Sequence, residues 1–482
     1  MSSADRISRF LEHIRKCARL LNIMGSDDPI YVFSHIDADG ISSAAIMLEL
    51  LLNLNRPLIL RFAHQLIPSI VSEIICDIKP MYLVFLDLGT DIPLKIAKNL
   101  KTSRVLIIDH HISSAKRINH DVDICVVNPR DFGIEGGIEI SSSGVTYLLA
   151  RMFSQKIENI EKMATMAVVG AVGDAQDVGV HRSIVGLNRV ILDDGKKAGY
   201  IDHIHDILMY GRGIKPLYRL LAETYIINVP GVTGSYDGAL DFLRRTGIIK
   251  SEDDIENVYL DDLTERKKDF LRKKLIEIIM TQYPGRYTIE DIESLLMGEI
   301  YVFLKEKRRP FRYARDLAML LNACGKMRNS DLAMRAILNP EDRKALGEIL
   351  NMYDRYRAII SNVLRQVDDK VEIIKNIAIL NLGDMINEEI TGTLASILST
   401  YFNSKCDIVM VIAKSIDNNM KISLRKTIGS KIRSIMPILS KCLESMKDIS
   451  GGGHESAAGL YVREDLLPTF IEKFAEYAGV QQ

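Results

Sequence analysis

Carboxylate and imidazole side chains occur in four groups, each directly after an apolar segment of the chain. The four groups are His35, Asp37 and Asp39; Asp87; Asp109, His110 and His111; and Asp174. Imidazole and carboxylate groups are common protein ligands of divalent cations. Two such cations about 3.5–4 Å apart can activate water and stabilise the charge that develops when a phosphodiester is hydrolysed. The residue types therefore predict a two-metal hydrolytic centre.

The expected metal ligands form two sets joined by one bridging carboxylate. The sets are His35 and Asp37 at one ion and Asp39, His110 and Asp174 at the other, with Asp87 as the bridge. A mixed imidazole and carboxylate set suits Mn²⁺ better than Mg²⁺, which prefers oxygen ligands and water. We therefore expect two divalent ions, with manganese as the first choice and magnesium as the alternative.

Two further residues of the same segment are expected to act beside the metal ligands. Asp109 is better suited to orient a histidine than to bind an ion, because histidines that bind metals commonly donate their second ring proton to a carboxylate. His111 then remains available to bind phosphate. We predict Asp109 and His111 to be catalytic residues.

The chemistry requires elements that bring these four groups together. Short β-rich apolar runs occur near residues 30, 58, 82, 104 and 124, and helical patterns occur near 42, 68 and 92. This alternation predicts a mostly parallel sheet covered by helices on both faces. Ligands of such sheets collect at the carboxyl ends of the strands. A helix capped by Ser141 and an apolar helix ending at Gly173 are expected to follow, with no strand until about residue 371.

The chain is long enough for two or three domains. We predict a catalytic α/β domain over residues 1–214, a helix-rich and charged insertion over 215–370, and a smaller α/β domain over 371–482. In the last domain, strands are expected at 377–381, 408–412 and 420–424, with helices near 391 and 435. His203 and His205 fall on an expected helix, where their spacing sends the two rings in different directions.

Whole-chain composition limits the classes of partner and compartment. The 62 Lys and Arg residues nearly cancel the 63 Asp and Glu residues, so only local basic segments can argue for a nucleic acid partner. The better segment is 421–433, and the segment 307–315 is an alternative that equally fits an exposed helix start. Six scattered cysteines predict neither a zinc knuckle nor disulfides. With no long apolar segment, we expect a cytoplasmic protein without membrane contact.

The order and spacing of these residues resemble the DHH phosphoesterase superfamily. His35-x-Asp37-x-Asp39-Gly40 resembles its first motif and Asp87-x-Gly89 its second. Its third and fourth motifs resemble Asp109-His110-His111 and Gly173-Asp174. Near the other end, residues 451–459 resemble the glycine-rich signature of the DHH-associated domain. Residues 320–327 resemble a motif of RecJ-type exonucleases, with Lys326 where bacterial relatives usually have arginine.

Chain length and the inserted helical region look most like the archaeal RecJ-like nucleases that work with the GINS replication complex. The resemblance implies an N-terminal parallel α/β domain and a smaller C-terminal α/β domain that together enclose the substrate. It also implies a set of phosphate-binding or substrate-binding residues outside the metal centre. These are Asn322, Ser423, Arg425, Gly451, Gly452, Gly453 and His454, of which Arg425 and His454 are also expected to be catalytic.

Three functions are compatible with this resemblance. The first is a metal-dependent exonuclease that acts on single-stranded DNA or RNA in replication or repair. The second is the same chemistry on small substrates such as short oligoribonucleotides or cyclic dinucleotides, which the long insertion argues against. The third is a scaffold of a replication complex, related to a eukaryotic helicase cofactor that has lost activity. Eroded ligands would favour the scaffold, but all six expected metal ligands are present.

Overall fold

The computed structural model describes most of the chain. The described residues are 3–23, 28–64, 66, 73–90, 104–112, 124–224, 229–285, 287–402, 405–415, 418–427, 429–446, 449–453 and 455–480. They form two compact units, Met1–Leu350 and Asn351–Gln482. The three predicted domains, with boundaries after residues 214 and 370, stay a prediction.

A five-stranded sheet lies at the centre of the first unit. Its strands are β1 (Ile30–His35), β2 (Leu58–Ala63), β3 (Tyr82–Leu86), β4 (Arg104–Ile108) and β5 (Ile124–Val127). All neighbouring strands are parallel, in the order β2-β1-β3-β4-β5. Every residue of β3 is buried, as expected for a strand covered on both faces. The predicted strands and their parallel arrangement are confirmed.

Five helices of the first unit accompany this sheet in the described residues. They are α1 (Ser3–Ile23), α2 (Ala38–Asn53), α3 (Ser142–Arg151), α4 (Ala164–Gly173) and α5 (Gly186–Lys197). Ser141 caps α3 by accepting a hydrogen bond from the Gly144 N–H, as the sequence predicts. Of the helix expected near residue 68, a π-helical turn is described at Glu73–Ile78, and the helix expected near 92 lies outside the described residues.

Helices dominate the following region, with two strands among them. The helices are α6 (Leu217–Glu223), α7 (Tyr236–Arg245), α8 (Asp254–Asn257), α9 (Glu265–Gln282), α10 (Ile289–Leu296), α11 (Ala314–Lys326), α12 (Ser330–Leu338), α13 (Arg343–Arg365) and α14 (Val367–Lys370). The strands β6 (Ile201–Ile207) and β7 (Met297–Phe303) pair antiparallel. The expectation that no strand occurs between 141 and 371 was therefore wrong. None of the described helices is long and apolar enough to cross a bilayer.

His203 and His205 lie on β6, so their expected placement on a helix was also wrong. A pairing with β7, almost 100 residues later in the chain, decides the conformation of this segment, and local propensity cannot reveal it. The two rings have different neighbours: His203 contacts Lys196, whereas His205 packs edge to face against His181.

The second unit contains a six-stranded mixed sheet. Its strands are β8 (Glu372–Ile374), β9 (Ile377–Asn381), β10 (Ile408–Lys414), β11 (Asn419–Lys426), β12 (Ile449–Gly453) and β13 (Ala457–Arg463), in the order β12-β13-β11-β10-β9-β8. Its helices are α15 (Thr391–Tyr401), α16 (Met436–Ser445) and α17 (Leu467–Val480). These elements confirm the predicted strands β9, β10 and β11 and the predicted helices near 391 and 435. The predicted α/β class is confirmed for both units.

A disulfide joins Cys17 in α1 to Cys125 in β5, with their Cα atoms 5.7 Å apart. The prediction that the chain forms no disulfide was therefore wrong. The two cysteines are separated by 108 positions, and they meet because α1 packs along the edge strand of the sheet. Spacing along the sequence cannot reveal such a pair, so cysteine usage no longer supports a reducing compartment.

Candidate metal centre

The carboxyl edge of the first sheet collects the candidate residues. His35 is the last residue of β1, Asp87 directly follows β3 and Asp109 directly follows β4. Ser34 of β1 is in register with Leu86 of β3, so the residues after them lie side by side. In a sheet of this order the chain connections diverge between β1 and β3, which opens a crevice where ligands bind.

The first cluster contains His35, Asp37 and Asp87, whose ligand atoms lie within 4.8 Å of one another. His35 Nδ1 is 3.0 Å from Asp37 Oδ2 and 3.3 Å from Asp87 Oδ2. Asp37 also caps α2, because its Oδ1 accepts a hydrogen bond from the Gly40 N–H. Asp37 Oδ2 is therefore the oxygen that faces His35.

The second cluster contains Asp39, His110 and Asp174, again within 4.8 Å of one another. His110 Nε2 is 3.2 Å from Asp174 Oδ2 and 3.9 Å from Asp39 Oδ2. The same nitrogen is 3.3 Å from Asp87 Oδ1. Asp87 thus presents one oxygen to each cluster, which is the arrangement expected of a bridging carboxylate.

The donor atoms fit divalent cations. His35 Nδ1, His110 Nε2 and both Asp87 carboxylate oxygens are buried, and within the described residues their contacts of 3.0–3.3 Å with neighbouring ligand atoms are not directed as hydrogen bonds. Buried polar atoms without partners are costly, and they are rare unless a ligand or ion completes the site. Asp87 has a positive φ of 60°, an uncommon backbone conformation that recurs at functional sites.

The electrostatics of the clusters also favour added positive charge. Burial, together with the neighbouring charge of Asp87, raises the pKa of Asp39 to about 6. Burial likewise raises the pKa of Asp174 well above its usual value. Although burial opposes it, the adjacent carboxylates raise the pKa values of His35 and His110. The carboxyl groups of Asp39, Asp87 and Asp174 lie close together and repel when ionised, so a bound cation would stabilise the ionised form of all three.

Asp109 orients His111, whereas His110 uses a different partner. Asp109 Oδ1 accepts hydrogen bonds from His111 Nδ1 at 2.7 Å and from the backbone N–H groups of both histidines. His110 Nδ1 instead lies 2.5 Å from the Gly136 carbonyl. Although burial opposes it, the Asp109 partner raises the pKa of His111 to about 9. The His111 side chain is half exposed and therefore offers a protonated ring to an anion in the crevice.

Asn322 supports the segment that carries the first ligands. Its Oδ1 accepts a hydrogen bond of 2.9 Å from the Ala38 N–H, at the start of α2. Gly325 packs against the same segment, and a Cβ at this position would lie 1.8 Å from the Ile36 carbonyl oxygen. The predicted contact of Asn322 with substrate stays a prediction. In the structure, the Asn322 side chain contacts the segment that carries the candidate ligands Asp37 and Asp39. Cys324 is fully buried, as expected of a packing residue.

Several residues around the centre escaped the sequence prediction. They are His64, Gly136, Ser142, Ser143, Gly170, Gln176 and Asn188. His64 directly follows β2, with its ring centroid 5.9 Å from that of His35, and its place at a strand end was a usable signal. The Ser142 and Ser143 N–H groups donate to the two oxygens of Asp39. Nothing in the local sequence links these two serines to a residue one hundred positions earlier.

The second unit carries the predicted phosphate-binding residues. Arg425 lies on β11, where its Nε donates to Ser396 Oγ at 3.0 Å. Burial lowers the pKa of Arg425, and within the described residues this guanidinium has no carboxylate partner. Ser423 is buried on the same strand, with its Oγ 2.8 Å from Thr391 Oγ1. A half-buried guanidinium without an acidic partner is suited to an anion.

The first three glycines of the glycine-rich segment lie on an edge strand. Gly451, Gly452 and Gly453 belong to β12, which pairs antiparallel with β13. A Cβ at Gly453 would lie 2.2 Å from the Ala457 carbonyl oxygen, so the close backbone approach at this position is made to β13. Gly452 has open space around it. His454 lies outside the described residues.

The two basic segments differ in how many of their basic side chains form ion pairs with acidic residues of the chain. In 307–315, Arg308 pairs with Glu306, Arg309 with Asp262 and Arg315 with Asp177. In 421–433, Lys421 lies over the Tyr461 ring at 4.1 Å and Lys426 donates to the Arg433 carbonyl. The first segment is therefore largely neutralised by its own neighbours, which favours the alternative of an ordinary helix start.

Three family models match the chain in succession. The model of the DHH family N-terminal domain matches residues 29–171, that of the DHH-CID domain matches 209–293, and that of the DHHA1 domain matches 375–479. An uncharacterized protein of Methanocaldococcus jannaschii is 27% identical over 485 residues, covering 100% of this chain and 99% of that protein.

Solved structures share the fold at low sequence identity. RecJ of Thermus thermophilus in complex with Mn²⁺ has a TM-score of 0.59 and 17% identity. The match covers 97% of this chain and 55% of that RecJ chain, so this protein spans about half of its length. CDC45 of Entamoeba histolytica has a TM-score of 0.62 and 11% identity, covering 98% of each chain.

Proposed function

The chain belongs to the DHH superfamily, and on that basis we propose that it is a metal-dependent phosphodiesterase that releases nucleotides from single-stranded DNA or RNA. The observation that carries this proposal is the placement of Asp87 between two sets of ligand atoms. One of its oxygens faces His35 and the other faces His110. This geometry is what a pair of divalent cations requires of a bridging ligand.

The two clusters would hold the ions. His35, Asp37 and Asp87 form one set, and Asp39, His110 and Asp174 form the other, with Asp87 shared. Two bound cations supply Lewis acidity that activates water for attack on phosphorus and offsets the developing negative charge. Manganese suits the mixed imidazole and carboxylate donors, and magnesium is the alternative.

Apart from Asp109, which orients His111, the other predicted catalytic residues are each suited to bind a phosphate group. His111 carries a proton at neutral pH, since its pKa is raised to about 9 by Asp109 against the opposing effect of burial, and its ring faces solvent. It can therefore donate a hydrogen bond to a phosphate oxygen. Arg425 of the second unit is suited to the same class of group. His454, beside Arg425 in the family pattern, is assigned the same role.

The decisive experiment is product analysis on long single strands of DNA and RNA labelled at the 5′ or 3′ end, with Mn²⁺, Mg²⁺ or chelator. We expect mononucleotide release with metal and none with chelator. Asp37→Ala and Asp174→Ala should reduce cleavage to the level measured with chelator while leaving the circular dichroism spectrum unchanged. Asp237→Ala removes an exposed carboxylate of α7 and serves as the matched control. Wild-type turnover in either metal-site variant would refute the proposal.

A second candidate function is a scaffold of a replication complex, with or without residual cleavage. The similarity of fold to the Entamoeba CDC45 structure is compatible with this scaffold function. The complete ligand clusters argue against a purely structural role. We propose a cytoplasmic protein of DNA replication or repair, with GINS as the expected partner. The alternative of small substrates is tested in the same assay, because a dinucleotide would then be cut faster than a long strand.

A further inference from the structure

The orientation of His110 depends on a backbone carbonyl. Its Nδ1 lies 2.5 Å from the Gly136 oxygen, a separation that requires a proton on Nδ1 because two lone pairs would repel. The other ring nitrogen, Nε2, lies 3.3 Å from Asp87 Oδ1 and 3.2 Å from Asp174 Oδ2, so its lone pair would be the one available to a cation held by these carboxylates. The position of the Gly136 carbonyl therefore determines which nitrogen of His110 can bind a cation.

Gln176 contacts the same carbonyl. Its Nε2 donates a hydrogen bond of 3.0 Å to the Gly136 oxygen and lies 3.4 Å from His110 Nδ1. A carbonyl oxygen has two lone pairs, so it can accept from both side chains at once. If the Gln176 amide were turned over, its own oxygen would face the Gly136 oxygen and compete for the proton of His110.

Asn188 prevents that rotation. Its Nδ2 donates to Gln176 Oε1 at 2.7 Å, and its Oδ1 faces the Ser141 N–H at 3.4 Å. Because a backbone N–H can only donate, the direction of every hydrogen bond from Ser141 to His110 is determined. Gln176 is completely buried and Asn188 is 2% exposed, so water does not compete with these contacts.

We propose that Gln176 and Asn188 are positioning residues that select the metal-binding nitrogen of His110, and this rests on the function proposed above. Both residues act on the cluster of Asp39, His110 and Asp174 alone. In the other cluster, His35 Nδ1 faces Asp37 and Asp87 and has no contact with this chain of hydrogen bonds among the described residues. Their loss should therefore weaken the binding of one divalent cation and spare the other.

The test is a Mn²⁺ titration followed by electron paramagnetic resonance, which measures free Mn²⁺ without any need for turnover. The wild-type protein should bind two Mn²⁺ ions. Gln176→Met keeps the side-chain volume and removes both hydrogen bonds of Gln176. We expect it to retain one ion at wild-type affinity and to bind the second about 10–100-fold more weakly, the usual cost of losing a group that orients a metal-binding histidine.

Asn188→Asp is the second variant, in case Gln176→Met fails to fold. Its new oxygen would face Gln176 Oε1 and turn the Gln176 amide over, so the same ion should be weakened. Since Asn188 acts through Gln176, adding Asn188→Asp to Gln176→Met should cause no further loss. Thr224→Val, which removes a buried hydrogen bond to the Leu220 carbonyl away from the centre, serves as the control.

Each outcome decides a different point. Loss confined to one ion in both variants supports the inference. Wild-type affinity at both ions, or equal weakening at both, overturns it, because a general loss of stability would affect both ions alike. A wild-type protein that binds no Mn²⁺ would instead refute the metal centre and the proposed function with it.

Discussion

Gly170 of α4 offers a precise perturbation of the candidate centre. A Cβ at this position would lie 2.2 Å from Asp39 Oδ1 and 2.0 Å from Ser143 Oγ. An ordinary contact is at least 3.4 Å, so Gly170→Ala must move the Asp39 carboxylate or the helix by about 1 Å. Asp39 is 1% exposed and both of its oxygens are bonded to α3, which leaves little room for it to move freely.

The expected effect on function is much larger than the effect on stability. A misplacement of about 1 Å at a catalytic group costs on the order of 100-fold in rate. Overpacking costs about 1–3 kcal/mol, of which replacing a helical glycine by alanine offsets about 1 kcal/mol. Gly170→Ala should thus fold with a net loss of about 0–2 kcal/mol, while Mn²⁺ affinity and turnover fall by about two orders of magnitude.

The assay compares Gly170→Ala with Gly347→Ala, in which the same chemical change is made on α13 with no atom within 4 Å of the new Cβ. The control should gain about 0.5–1 kcal/mol in urea unfolding and retain full Mn²⁺ binding and turnover. Wild-type Mn²⁺ affinity and turnover in Gly170→Ala would refute the view that Asp39 is a ligand held rigidly by its packing.

Three further predictions concern pH, redox state and the support of the first ligands. Burial raises the pKa of Asp316 to about 6. The folded protein therefore retains this proton to a higher pH than the unfolded chain does. As the pH rises from 4 to 6, the free energy of unfolding should fall by as much as about 3 kcal/mol. Urea unfolding at pH 4 to 7 should show a larger fall for the wild-type protein than for Asp316→Asn, because Asp39 and Asp174 contribute to the pH dependence of both proteins. Reduction of the Cys17–Cys125 disulfide should lower the free energy of unfolding by about 2–4 kcal/mol. Cys17→Ser should make urea unfolding insensitive to a dithiol reductant, and an unchanged wild-type midpoint under reduction would contradict the bond. Asn322→Ala removes the acceptor of the Ala38 N–H and should weaken Mn²⁺ binding about 10-fold, as measured by calorimetry. An unchanged Mn²⁺ affinity would contradict this supporting role and favour the predicted contact of Asn322 with substrate.

The sequence alone determined the strands of the first sheet and the position of the candidate ligands at their ends. Continuous apolar runs are required of strands buried on both faces, and polar residues directly after them must lie at the carboxyl edge. That argument places His35, Asp87 and Asp109 at one edge from the sequence alone, because each is adjacent in sequence to the strand that positions it. The N-cap of α3 at Ser141 follows from equally local chemistry.

Tertiary structure alone decided which groups complete the centre. The Gly136 carbonyl, Gln176 and Asn188 orient His110 from positions 26 to 78 residues away in the chain, and no periodicity relates them. The strand conformation of β6 and the Cys17–Cys125 pair have the same origin. In each case a partner distant in sequence determines the conformation or the bond, and a local pattern of residue types carries no information about which distant segment packs against it.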